Sequence, residues 1–254
     1  MRISVFILAV LLFLSQYSLA ETKETINFAC AEWKPILFIE DAEIKGLYAE
    51  FLEEIFGKNM NMKIKYSFLP WKRAQKSVEK GDADFTLTVP TKKRLTYSIK
   101  NEKPIYQMYL HIYTYKNHEK IDQIREIKSA KDILNIGLIP VTNLGNGWHK
   151  QNIDSLGIDT YYVTKEDDIV KFLASKRGDI MIEAVIPMNY KIKQYGLVSK
   201  IELTNARFGP LNFNILLSKK SKYVYLMPEI NSVVNRLIKD GTMGKLTSKY
   251  MKLE

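Results

Sequence analysis

The chain has 254 residues, with 38 Lys and Arg against 28 Asp and Glu, a net charge of +10, three histidines and one cysteine. A lone Cys30 excludes an intramolecular disulfide and a zinc-type cysteine cluster. The excess cations are spread along the whole length with acids interleaved, which reads as a solvated basic surface, modestly favourable to anionic ligands, and argues against a nucleic-acid partner.

Arg2, an apolar run over residues 3–14 and a small-residue close at Ser18-Leu19-Ala20 predict a secretory signal peptide over residues 1–20, cleaved near Ala20. The run is shorter than the roughly 20 apolar residues of a membrane span. No cysteine follows it directly, so no lipoprotein anchor is expected at that cut, and the mature protein is expected in the periplasm. Residues 26–31 form a short apolar strand in which Cys30 serves as a small hydrophobe. Leu47, Tyr48, Phe51, Leu52, Ile55 and Phe56 fall at helical spacing before Gly57. Met62, Ile64, Tyr66 and Phe68 alternate with Lys63, Lys65 and Ser67, the pattern of a half-buried strand. Pro70 opens a helix that Gly81 ends, and residues 83–88 return as a strand.

The aromatic and β-branched stretch 105–115 suits an extended strand crossing to a second unit. That unit repeats the alternation: a strand at 135–139, a helix beginning at Thr142, and a strand at 160–163. A helix capped by Thr164 and Asp167 and a strand at 179–183 complete it. Residues 213–218 read as a strand, and Ile230, Val233, Val234, Leu237 and Ile238 stripe a helix that stops at Asp240-Gly241 and packs on the first unit. The fold class is therefore α/β, with two open-sheet units in tandem. No low-complexity linker separates them, so they are expected to share two crossing strands.

The run from Pro70 through Trp71, Gly81 and Asp84, then Arg94, Tyr97-Ser98 and Pro104 to Tyr106, resembles the family-3 extracellular solute-binding proteins. The likeness continues through 137–142, 176–179 and 237–246, in order along nearly the whole mature chain. The resemblance implies a periplasmic binding protein-like (type II) two-lobed Venus-flytrap with two crossing hinge strands. Lobe 1 would comprise residues 21–110 and 206–254, and lobe 2 residues 111–205. It also implies a small-molecule ligand caught by hinge closure. A monomer without cofactor would then deliver it to the inner-membrane permease of an ABC transporter.

The resemblance assigns Arg94 to a ligand carboxylate, and a guanidinium suits that task because it presents two parallel donors. The stretch from Asp84 to Arg94 is two residues shorter than the usual family pattern. Thr88 matches a position that offers a hydroxyl or backbone group, with Thr86 on the same strand face. Thr142 is expected at a helix start, where free N–H groups favour an anion or the residue serves as a plain N-cap. Trp71 matches an aromatic wall, although Trp71, Ala74 and Val78 also form one core stripe; Trp33, after the first strand, is a second wall candidate. Where many relatives carry an aspartate for the ligand ammonium, this chain has Ala184. Either a local strand shift brings Glu183 to that ammonium, or the ligand has no α-amine.

Two rival functions use the same fold. A cyclohexadienyl-dehydratase-like enzyme would need a poised acid or base; Glu183 is the one cleft carboxylate candidate, and His111, His118 and His149 form no recognisable catalytic pattern. A ligand-sensing partner of a membrane receptor would need a second protein. The expectation is a binding protein that is not an enzyme.

Overall fold

The computed structural model describes residues 23–251; the expected signal peptide at 1–20 lies outside the described residues. The strands are β1 (Thr25–Cys30), β2 (Phe38–Glu40), β3 (Glu43–Lys45), β4 (Lys63–Phe68), β5 (Phe85–Thr88), β6 (Ser98–Lys100), β7 (Tyr106–Tyr115), β8 (Val141–Asn143), β9 (Tyr161–Val163), β10 (Ile180–Ala184) and β11 (Ile201–Ser218). In the first lobe β1 pairs in parallel with β4 and β5, and the C-terminal end of β11 runs antiparallel to β5 and β6. In the second lobe β10 runs antiparallel to β7, and the parallel pair β8–β9 joins it through a bridge from Pro140 to Ile180.

Both passages between lobes run through β7 and β11. They pair antiparallel from Ile201 opposite Tyr115 to Phe213 opposite Tyr106, with register shifts between Leu203 and Arg207 and between Phe208 and Leu211. This is a two-lobed α/β binding-protein fold with two crossing strands. The short pattern seen at 213–218 is only the end of an 18-residue strand. Its earlier part is polar, bulged and unevenly buried, so no apolar alternation betrays it.

Each lobe opens a strand with the same device. After Gly81, buried Asp84 accepts a bond from the backbone N–H of Asn27 (2.8 Å) and another from Ser221 Oγ (2.6 Å). After Gly178, Asp179 accepts from the backbone N–H of Ile139 (2.7 Å), and His118 Nε2 lies 3.2 Å from its other oxygen. These bonds splice neighbouring strands at the point where the preceding helix lets go.

Two expected elements of the second lobe are corrected. Residues 130–136 are helical, Ala130–Ile136, started by a capping box of Ser129 and Asp132 and ended by Gly137 at φ 70°, where a strand was expected at 135–139. The capping box outweighs the apolar pattern. Thr142 does not begin a helix: it is the middle residue of β8, and the helix starts four to five residues later, at Gly147–Asn152, where Asn146 Oδ1 accepts from the His149 N–H. The capping pair expected at Thr164 and Asp167 resolves to Asp167 alone as N-cap of Asp168–Ala174, without a side-chain bond.

The main core is built from β1, the helix Leu47–Leu52 with its π-helical continuation Glu53–Lys58, and the helix Met227–Lys239. Val141, Val170, Leu173 and Met188 centre a second cluster in the second lobe. The C-terminal helix Thr242–Met251 lies on the first lobe and also reaches the helix Val185–Gln194, where Asn189 Nδ2 meets the Met251 carbonyl at 3.4 Å.

Candidate functional site

In an open α/β sheet, ligands bind where the carboxyl ends of parallel strands meet a crevice. Here the chain leaving β1 (Cys30 to Trp33) and the end of β5 (Thr86 to Thr88) open on to a cleft of about 490 Å³. Trp71, Tyr48 and Phe213 complete the first-lobe wall, and Glu166, which follows β9, faces it from the second lobe.

The wall is positioned by backbone geometry. Gly46 takes φ 115°, and a Cβ there would stand 2.5 Å from the Ile36 carbonyl oxygen, so only glycine lets the helix carrying Tyr48 lie against the loop after Trp33. The Tyr48 N–H donates to the Ile36 carbonyl at 2.8 Å, and Trp33 is pinned by N–H donation to the Leu37 carbonyl at 2.7 Å. The Trp33 ring then stands edge-on to Tyr48 at 6.5 Å and tilted to Phe213 at 6.4 Å. Such edge and tilted arrangements suit aromatic quadrupoles. Tyr48 is 4 % exposed, and its hydroxyl has no hydrogen-bond partner among the described residues. Burial first, and the Tyr106 phenol second, hold its pKa well above the ordinary value, so the phenol stays neutral.

Of the residues expected from sequence, Trp33, Trp71, Thr86 and Thr88 line this one cleft. Trp71 does both jobs weighed for it: its helix buries Ala74 and Val78, while Trp71 itself, at the first position, is half-buried and borders the cleft. Thr86 and Thr88 are buried at the end of β5, opposite Leu216 and Asn214 of β11.

Arg94 lies beside the cleft and is not one of its lining residues. Thr91 caps its helix, Lys92–Tyr97, by accepting the Arg94 N–H at 3.2 Å. The guanidinium rests over the Trp71 ring at 5.3 Å, donates from Nη1 to the Val89 carbonyl at 2.7 Å and from Nε to Gln75 Oε1 at 3.1 Å. No carboxylate among the described residues pairs with it, and burial lowers its pKa.

Thr142 and Glu183 are not among the lining residues. Thr142 is buried and its Oγ1 accepts from Asn146 Nδ2 at 3.0 Å. Glu183 sits on β10 opposite His111 of β7, with Oε1 buried and unpartnered. Its pKa is pushed up to about 8, chiefly by burial and then by Glu166, against the opposing effect of Lys191. Sequence reasoning missed Tyr48, Phe213 and Glu166. The first two looked like ordinary periodic core, and Glu166 like a helix-flanking acid; only the folded loops bring them to one place. Among the described residues no group of three or more His, Cys, Asp or Glu side chains is arranged to hold a metal.

Truncating Trp71 to alanine is expected to weaken ligand binding about tenfold, because it removes an aromatic wall and the platform under Arg94. Tryptophan emission during titration checks this. A ligand-induced change as large as in the unaltered protein would assign Trp71 to the core alone.

Residues 26–253 match the model of the bacterial extracellular solute-binding proteins, family 3. The Bacillus subtilis (strain 168) protein named "Probable amino-acid-binding protein YxeM" is 22 % identical over 219 residues, covering 85 % of this chain and 79 % of that protein. Among solved structures, the second substrate-binding domain of Lactococcus lactis GlnP in an open conformation aligns with a TM-score of 0.70 at 21 % identity, covering 91 % of this chain and 97 % of that one. A histidine kinase sensor domain with similarity to periplasmic binding proteins aligns at 0.65 and 16 % identity, covering 91 % and 96 %. With the matched span running from β1 to the C-terminal helix, the chain belongs to the bacterial extracellular solute-binding proteins, family 3.

Proposed function

We propose that this solute-binding protein is non-catalytic and closes its lobes, residues 21–110 with 206–254 and residues 111–205, on a small polar, carboxylate-bearing ligand of amino-acid type. It acts as a periplasmic monomer, exported by the leader at 1–20, and hands the ligand to the permease of an ABC importer. The observation that carries this reading is one cleft lined from both lobes, with Trp33, Trp71, Thr86 and Thr88 on one side and Glu166 on the other. Arg94 takes the carboxylate, Thr86 and Thr88 supply hydroxyls, and Trp33 and Trp71 form apolar walls. Thr142 and Glu183 support the second-lobe face from behind. Catalysis is disfavoured by the placement of the acid–base candidates. Glu183 is outside the cleft lining, and the three histidines are engaged with Thr204, Asp179 and Thr160.

A thermal-shift screen against amino acids, other carboxylates and amines tests the proposal. A ligand at about 100 times its Kd stabilises by about 2.7 kcal/mol, which for a chain of this size raises Tm by roughly 5–10 °C. A panel in which no carboxylate moves the transition overturns it.

A further inference from the structure

We propose that the cleft selects a ligand carrying an organic cation, an ammonium or guanidinium, held between aromatic rings with Glu32 and Glu166 as its counter-charges. This rests on the solute-binding reading above and names the ligand chemistry of the same cleft.

The charge of the lining is opposite to that of the chain. The protein has a net charge of +10, yet among the described residues the only charged ones that line the cleft are two carboxylates, Glu32 after β1 and Glu166 after β9. Glu166 is part of a trio in which Lys191 Nζ is shared between Glu166 (2.7 Å) and Asp167 (3.1 Å), one cation against two anions, so the trio itself keeps a net negative charge. Glu183, behind it, is kept protonated by burial and supplies no positive charge to compensate it.

The remaining surface suits a cation as well. Trp33, Tyr48, Trp71 and Phe213 offer ring faces, and ring quadrupoles attract ammonium and guanidinium groups, most strongly when both are desolvated. The buried Tyr48 hydroxyl lacks a partner among the described residues and can accept one N–H. Arg94 lies outside the lining, with its guanidinium over the Trp71 ring, so an anionic group there is set apart from a cationic group between the carboxylates.

The placement of the two acids on opposite lobes gives the cation a mechanical role. Hinge closure carries like charges toward each other, which costs free energy, and a positive group between them turns that cost into attraction. A neutral ligand of the same shape leaves the repulsion in place, so closure itself reads the charge.

Isothermal titration with matched compounds tests this: arginine against citrulline, lysine against norleucine, and agmatine, which keeps the guanidinium and lacks the carboxylate. Arginine and lysine are expected to bind at least about tenfold more tightly than their neutral counterparts, a modest yield for two partly solvated carboxylates. Agmatine is expected to bind more weakly than arginine, because it lacks the group assigned to Arg94, and to lose affinity several-fold further in Glu166→Gln. Glu166→Gln is expected to shrink the arginine-to-citrulline ratio several-fold, with citrulline affinity somewhat raised because one of the two repelling charges is gone. Glu32→Gln, at an exposed position that carries no fold contact, is expected to do the same. Citrulline binding as tightly as arginine, or a ratio untouched in both variants, overturns the inference. If these cations fail while a neutral or acidic compound from the thermal-shift screen binds, the cation subsite falls and the solute-binding reading stands. If nothing in either set binds, both fall.

Discussion

Replacing Arg94 with alanine is expected to lower affinity for a carboxylate ligand on the order of a hundredfold or more, because loss of one partner of a desolvated charge pair costs about 2–5 kcal/mol. The guanidinium has five N–H donors, and among the described residues it uses only Nη1 toward Val89 and Nε toward Gln75, so donors remain for a ligand without breaking either bond. Those two bonds orient the group, and Trp71 beneath it limits its swing. The fold should lose little: two bonds at a half-exposed site are worth about 1 kcal/mol each, or a fall in Tm of a few degrees. Lysine at this position keeps the charge but not the planar fork, so Arg94→Lys should recover only part of the affinity. Calorimetry that finds Arg94→Ala as tight as the unaltered protein removes this residue from the site.

Glu183→Gln should change the pH dependence of stability more than any other single substitution in the second lobe. The Glu183 carboxyl, ordinarily near 4.5, is raised to about 8 in the folded protein, first by burial and then by Glu166. The folded state therefore holds a proton that the unfolded state has already released. The stability this contributes is fully present below pH 4.5 and is lost as the pH rises through about 8. The loss is on the order of 5 kcal/mol across that interval, equivalent to roughly 10–20 °C in Tm. Glutamine keeps the size of the protonated acid and has no proton to give up. Melting curves of the two proteins should run close together near pH 5 and separate toward pH 9, with the glutamine variant higher. Other groups titrating in this range are common to both proteins and cancel in the difference. Parallel curves would show that Glu183 is ionised throughout.

Much of the first lobe is legible in the sequence because its signals are local. The apolar spacing from Leu47 to Phe56, the alternation from Met62 to Phe68, and Pro70 and Gly81 around one helix each appear where they were expected. The cleft wall was partly legible too, since Trp33, Trp71, Thr86 and Thr88 follow strands or begin a helix, and strand ends are where an open sheet receives a ligand. The second lobe was less so. At residues 135–139 an apolar run looks like a strand, and the Ser129–Asp132 capping box that makes its start helical lies outside that window. Thr142 has the composition of a cap, but pairing with Tyr162 on β9 draws it into a strand. Glu166 could not have been singled out, because nothing in its neighbourhood tells one solvated acid from the next. Its meaning comes from a wall supplied by residues distant in the sequence, from Trp33 to Phe213.

The two passages between the lobes are hydrogen-bonded neighbours, not separate tethers. Paired strands resist shear and splay but yield where their register breaks, so most of the freedom between the lobes reduces to a single angle. A system with one soft coordinate needs little to bias it: a few kcal/mol from one well-placed side chain can move its population from mostly open to mostly shut. On the proposed reading, a cleft whose lining is almost wholly first-lobe can then be shut by little, with Glu166 as the one second-lobe residue among the described residues at its surface.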